Sequence, residues 1–255
     1  MYYVMAQRER LVEFLPKGAV AAEIGVAEGT FAAAMLEKCA PSKLHLIDPW
    51  RGYETGGDDG TRGHFLAAAV AERAGGAAAP AVHTSAEDDR KFQAVQDRFQ
   101  RDGRVQFHRT YSYRAAPTLP DKHFDFVYLD GDHTYEYVLR DLLDYAAKIK
   151  DDGLILGHDY FEDSFAAQEN YAVIGAVNAF LARSGFIFLA LTWDKFPTYV
   201  LARRLDGFAG AFVRNLLESD VFAMDLPTSL AFSYREFSYR RGVGSSPRIP
   251  SFTRV

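Results

Sequence analysis

The sequence predicts an α/β protein with a mostly parallel sheet and helices on both faces. Short apolar runs alternate with stretches of helical periodicity along most of the 255 residues. Several of those runs stop abruptly on charged or imidazole side chains: Glu23 near the end of AVAAEIG, Asp48 after LHLI, Asp130 after FVYL, and His158–Asp159 after LILG. In an open sheet of this class the carboxyl ends of the strands are where ligands bind.

Taken in order, Ala19–Gly25 reads as a first strand, followed by a glycine-bearing turn that opens the helix TFAAAMLEKC. Lys43–Asp48 is a second strand, Arg104–Arg109 a third, and Phe124–Leu129 a fourth. A helix over about Tyr135 to Lys150 follows, with Val138, Leu142, Tyr145 and Ile149 on one apolar face. Gly153–Tyr160 is another buried strand that ends in polar residues. A helix through YAVIGAVNAFLARSG comes next, and FIFLAL with PTYVLARR reads as a closing antiparallel pair. The alternating unit spans residues 1–204, with no internal repeat. It is interrupted by a long connection at 51–102 that holds a Gly-rich stretch, an Ala-rich helix and a charged helix, and connections of that length carry lids or binding loops. Residues 205–255 form an extension rich in aromatics (Phe208, Phe212, Phe222, Phe232, Tyr234, Phe237, Tyr239). It is too apolar for a free tail and too short for a core of its own, so it is expected to pack on the domain or on a partner subunit.

The composition narrows the function. Twenty-nine Lys and Arg against 34 Asp and Glu give a net charge of −5, which removes the usual electrostatic reason to bind nucleic acid or an anionic membrane. Cys39 is the single cysteine, so an intrachain disulfide and a cysteine-based zinc cage are excluded, and its Ala-rich surroundings predict a buried thiol. The opening MYYVMAQRER is too charged for a secretory signal, and no apolar run approaches the ~18 residues of a membrane span. A cytoplasmic location is therefore expected.

Two clusters carry candidate chemistry. In EIGVAEG, Glu23 and a Gly25-x-x-x-Gly29 turn open a helix, which lets a ligand come close to backbone that carries no Cβ. The spacing departs from G-x-G-x-x-G, which argues against a nicotinamide enzyme. Asp48, about twenty residues on, can accept both hydroxyls of a ribose, so the pair reads as a nucleoside-binding crevice. The second cluster is LDGDH with GHDY. If their strands are neighbours, about 4.8 Å apart, Asp130, His158 and Asp159 converge, and carboxylates there suit a hard divalent ion such as Mg2+. Asp132 and His133 lie just beyond, in reach of a substrate hydroxyl as general base. Each residue also has a plainer reading: Asp132 or Thr134 as a helix cap, with Glu136 favouring the helix dipole, and His158 as a satisfied strand-end histidine.

The stretches AAEIGVAEGTFA, LHLIDPW, FDFVYLDGDHTYEYVLRDL and DDGLILGHDY resemble the class I S-adenosyl-L-methionine-dependent methyltransferases. Their likeness is to methyltransferase family 24, the O-methyltransferases related to macrocin O-methyltransferase, over roughly Ala19 to Arg203. The resemblance implies a Rossmann-like seven-stranded sheet with its last strand antiparallel. It implies that Glu23, Gly25 and Gly29 line the methionine end of the cofactor, that Asp48 holds the ribose, and that Ser112 lies near the adenine. It also implies that Asp130 and Asp159 are metal ligands, with Asp130 at the cofactor edge as well. His158 stands where an acid often does, so one negative ligand has become neutral. Asp132 would be the base and His133 its alternative.

The expected reaction is methyl transfer to a hydroxyl of a small molecule or sugar, assisted by a divalent ion. A metal-free enzyme using His133 or His158 as base, and a non-catalytic nucleotide- or sugar-binding protein on the same fold, are the alternatives. Trp50, Tyr53 and His64 are candidates to line an acceptor pocket, although aromatics there equally suit packing. A homodimer through the aromatic extension is expected; nucleic acid and a membrane span are not.

Overall fold

The computed structural model describes residues 1–51, 86–161, 171–238 and 248–252. Tyr53, His64, Tyr239 and the Gly-rich and Ala-rich parts of the 51–102 connection lie outside them. Among the described residues nine strands form one sheet: β1 (Tyr2–Val4), β2 (Val20–Ile24), β3 (Lys43–Asp48), β4 (Val105–Arg109), β5 (Phe124–Leu129), β6 (Ile149–Gly157), β7 (Ile187–Thr192), β8 (Tyr199–Ala202) and β9 (Ala223–Asp225). Their spatial order is β4-β3-β2-β5-β6-β8-β7-β1-β9. β8 runs antiparallel to both β6 and β7, which gives the seven-stranded arrangement with its reversed last strand. Two short strands extend that sheet: β1 pairs parallel with β7, and β9 antiparallel with β1. Three-residue strands carry too little periodicity to be read in advance.

β2 is the pivot. The chain winds outward from β2 through β3 to β4, then returns to place β5 on the opposite side of β2. This reversal of winding opens a crevice at the carboxyl ends of β2 and β5, and it is there that Glu23, Gly25 and Asp130 meet. Because side chains alternate along a strand, each central strand feeds two cores. Ala21, Leu44, Leu46, Phe126 and Tyr128 join one, and Ala22, Ile24, Ile47, Val127 and Leu129 the other.

The helix after β5 is shorter than its periodicity suggests, running from Tyr135 to Ala146. Val138, Leu142 and Tyr145 are buried on it as expected, but Ile149 opens β6 and pairs with Phe124. Ile149 reaches the same core from a strand, which is why it extended the helical pattern. Cys39 is fully buried, its Sγ 3.2 Å from the Met35 carbonyl. In the C-terminal region the helix Gly207–Leu217 buries Phe212 and Leu216 in the first core. Tyr234 is buried beside Tyr160, whose hydroxyl donates to the Ala231 carbonyl, while Phe222 and Phe232 stay exposed. β10 (Arg235–Ser238) and β11 (Arg248–Ser251) form a separate antiparallel pair. No helix among the described residues is long and apolar enough to cross a membrane.

Away from the crevice, His45 on β3 and His108 on β4 share a 2.9 Å nitrogen–nitrogen contact, with His123 edge-on to His45. His45 is only 5% exposed, and its Nε2 has no hydrogen-bond partner among the described residues. Burial, then the neighbouring His108, His123 and Lys43, push its pKa down to about 4. The unfolded chain takes up this proton near pH 6.5 and the folded chain near pH 4, so stability present at neutral pH is lost as pH falls through that window. Between pH 7 and pH 5 His45 is expected to account for a loss of about 2 kcal/mol. Urea unfolding of His45→Leu at both pH values tests this: the variant should lose that much less than the parent.

Candidate active site

The glycine turn after β2 is shaped by the chain's own atoms. Gly25 has φ of +83°, and a Cβ placed on it would lie 2.1 Å from the Asp130 carbonyl oxygen. The turn therefore lies directly against the end of β5, with Gly25 N–H donating to Ile47 O and Asp130 N–H to Ile24 O. Gly29 also has positive φ, and a Cβ placed on it would lie 2.7 Å from the Phe99 ring. Both glycines are required by packing, whatever else the turn binds.

Asp48 ends β3 with its carboxylate folded onto this turn. Oδ2 accepts from the Val26 and Ala27 amides at 2.7 and 3.0 Å, and Oδ1 from the Trp50 amide at 2.5 Å. Burial raises its pKa, and these three amides work in the opposite direction. Trp50 is 3% exposed, packs near Phe92 and Phe107, and donates its indole N–H to Ala27 O. It is a wall of the fold and not an open pocket residue.

Glu23, one residue from the end of β2, is 1% exposed, and its Oε2 has no hydrogen-bond partner among the described residues. Burial and the nearby Asp130 push its carboxyl well up, and Arg8 pulls the other way. A buried carboxyl with an open oxygen at the crevice is an acceptor waiting for a donor.

The β5 and β6 ends build the second cluster. Ligand atoms of Asp130, His133 and Asp159 all lie within 4.8 Å of one another. His133 Nε2 is 2.8 Å from Asp159 Oδ2 and 3.4 Å from Asp130 Oδ1. His158 Nδ1 is 3.4 Å from a carboxylate oxygen of each aspartate. Asp159 has a left-handed backbone, φ +58°, a conformation that aspartate tolerates better than most residues. Tyr171 stacks on the His133 ring at 4.5 Å. Burial opposes charge on His133, but its bonds to Asp130 and Asp159 prevail and raise its pKa to about 9. Burial likewise opposes ionisation of Asp130, yet the two histidines hold its carboxyl well below the usual carboxylate range.

His133 therefore belongs with the aspartates, beside the His158 that sequence reasoning placed there. Asp132 closes a local turn just ahead of the Tyr135–Ala146 helix: its Oδ1 accepts from the Thr134 amide at 2.8 Å. Ser112 Oγ donates to Asp141 Oδ1 at 2.6 Å. Asp141 is 5% exposed, and burial raises its pKa to about 6 while Ser112 restrains the rise. Sequence reasoning passed over Asp141, although an acid between Val138 and Tyr145 on an apolar face was a signal. It also passed over Arg8, whose Nη1 lies 2.7 Å from Asp130 Oδ2.

A family model described as a methyltransferase domain, methyltransferase family 24, matches residues 22–160. The chain belongs to this methyltransferase family. The matched span holds every element of the crevice from Glu23 to Asp159, whereas the methyltransferase's Arg8 lies before it. A search of curated proteins finds no match. Solved structures with similar folds include a protein from Corynebacterium glutamicum, at 13% identity and a TM-score of 0.49, covering 78% of this chain and 79% of the other. The N-methyltransferase NodS from Bradyrhizobium japonicum WM9 matches at 10% identity and a TM-score of 0.48, covering 75% and 91%. An O-methyltransferase family protein from Burkholderia thailandensis matches at 12% identity and a TM-score of 0.49, covering 76% and 55%.

The family implies S-adenosylmethionine as methyl donor, and the methyltransferase's crevice suits it: Glu23 offers a buried open acceptor at the turn. The Asp130–His133–Asp159 set, two carboxylates and an imidazole, also suits a hard divalent ion.

Proposed function

We propose that this methyltransferase transfers a methyl group from S-adenosylmethionine to a hydroxyl oxygen of a small molecule or sugar, assisted by a divalent ion such as Mg2+. The observation that carries this reading is the convergence of Asp130, His133 and Asp159 beside Glu23 where the winding reverses between β2 and β5. Bound there, S-adenosylmethionine supplies an electrophilic methyl on sulfonium sulfur, and a divalent ion lowers the pKa of a hydroxyl it touches.

The chain's residues do the rest. Glu23 accepts from the amino end of the donor, and the turn from Gly25 to Gly29 offers it backbone. Asp48 accepts the ribose hydroxyls through lone pairs its amide bonds leave open, and Ser112 with Asp141 borders the adenine. Asp130 and Asp159 hold the ion with His133 or His158. Asp132, fixed at Oδ1 by Thr134, takes the acceptor's proton at Oδ2. His133 is a poor base in the ion-free site, because its raised pKa leaves it protonated at neutral pH. In this reading residues 1–204 carry the chemistry, and the 51–102 connection and the 205–255 extension choose the acceptor and support a cytoplasmic homodimer.

Calorimetric titration of S-adenosylhomocysteine, with EDTA and then with Mg2+, tests the reading. Binding in both conditions is expected. Its absence in both would mean that the Glu23 crevice has been misassigned; binding with no turnover on any hydroxylated acceptor would favour a non-catalytic protein on this fold.

A further inference from the structure

Arg8 reaches the crevice from outside the strands that build it. It opens the short helix Arg8–Leu11, just after β1, and its guanidinium lies 4.7 Å over the Phe31 ring. Nη1 bonds Asp130 Oδ2 at 2.7 Å and lies 3.3 Å from the Tyr128 hydroxyl, while Nε donates to Glu9 at 3.2 Å. One oxygen of Asp130 is thus committed to a charge that cannot be removed by deprotonation. The other, Oδ1, faces His133 and His158 at 3.4 Å each.

We propose that Arg8 sets how tightly this site holds a divalent ion, by occupying Asp130 Oδ2 and offsetting one of the two carboxylate charges. The inference rests on the metal part of the proposed function. With neutral histidines, Asp130 and Asp159 present two negative charges directly to an ion, and Arg8 bonds one of them; Glu9, the guanidinium's other charged partner, is 41% exposed to water and lies outside the ligand set. A fixed cation a few ångströms from a divalent ion, in a site partly shielded from water, is a strong repulsive element. It also leaves Asp130 able to ligate through a single oxygen. The ion is therefore held loosely by the protein and depends on other oxygens to complete its shell.

Mn2+ titrated into the full chain, with free Mn2+ followed by electron paramagnetic resonance, reads this without turnover. Arg8→Gln keeps a planar donor toward Asp130 and removes the charge; it is expected to bind Mn2+ at least tenfold more tightly than the parent. Arg8→Lys keeps the charge and should stay within about threefold. If Arg8→Gln does not fold, Arg8→Met, which keeps an apolar stem over Phe31, is the second neutral variant with the same expected gain. Equal or weaker Mn2+ binding in the neutral variant, or none in any protein, overturns the proposal. S-adenosylhomocysteine titrated into the same samples separates the readings. If it binds while the Mn2+ result is negative, the role of Arg8 fails and the methyltransferase site stands; if it fails to bind, the cofactor assignment falls by itself.

Discussion

Asp159→Ala is expected to lower methyl transfer by about a thousandfold while S-adenosylhomocysteine affinity stays within about threefold. Asp159 lies at the end of β6, whereas the acceptor groups assigned to the cofactor's amino acid and ribose, Glu23 and Asp48, lie on β2 and β3. Its loss removes one of the two carboxylates proposed to hold the ion and frees His133, which is then tied to Asp130 alone at 3.4 Å. Asp159 is a cleaner target than Asp130, because Asp130→Ala also takes from the Arg8 guanidinium its 2.7 Å charged partner. That second defect adds about 1–3 kcal/mol of destabilisation that has nothing to do with catalysis. Single-turnover rates and calorimetry on the same preparation check the claim. Unchanged turnover in Asp159→Ala, or full activity of the parent in excess chelator, would remove the ion from the mechanism.

Gly25→Ala is expected to destabilise the fold by about 3 kcal/mol or more, the sum of left-handed backbone strain and an overlap that cannot relax. The new methyl would lie 2.1 Å from the Asp130 carbonyl oxygen and 2.7 Å from the Gly131 nitrogen, backbone atoms beside the Asp130 N–H bond to Ile24 O that ties the end of β5 to β2. Gly18 supplies the control. It too has positive φ, +77°, but nothing lies within 4 Å of its Cβ position. Gly18→Ala should therefore cost only the backbone strain, about 1 kcal/mol. Urea unfolding of the two variants separates conformation from collision. Similar losses would mean that the turn can move away from β5.

The contrast between these glycines shows where sequence reasoning works. That Gly25 needs a special backbone was legible from a glycine at the end of an apolar run. That the obstacle is the carbonyl of Asp130, more than a hundred residues on, was not, because it depends on which strand becomes the neighbour of β2. Asp130 and Asp159 were legible for a related reason: acids that end apolar runs must lie on one edge of a parallel sheet. Asp132 and His133 stand side by side in the sequence, yet one turns an oxygen back onto the Thr134 amide and the other joins the carboxylates. The backbone path after β5 decides between them, and periodicity carries no record of it. Arg8 left no signal at all beyond charge. An arginine in a charged opening stretch looks like surface until the sheet edge brings it round to Asp130.

That sheet edge has a consequence for how the chain reaches its active form. β1 pairs with β7, register Tyr2 to Ala190, and then with β9. A growing chain must hold β1 unpaired through the synthesis of β2 to β6, and closing so long a loop is a late and slow step. Arg8 follows β1 by four residues, so it is delivered to Asp130 by the same closure. Until then the crevice is more negative than in the finished protein. If Arg8 acts as proposed, an intermediate lacking only the outer strands would hold divalent ions more avidly than the finished protein.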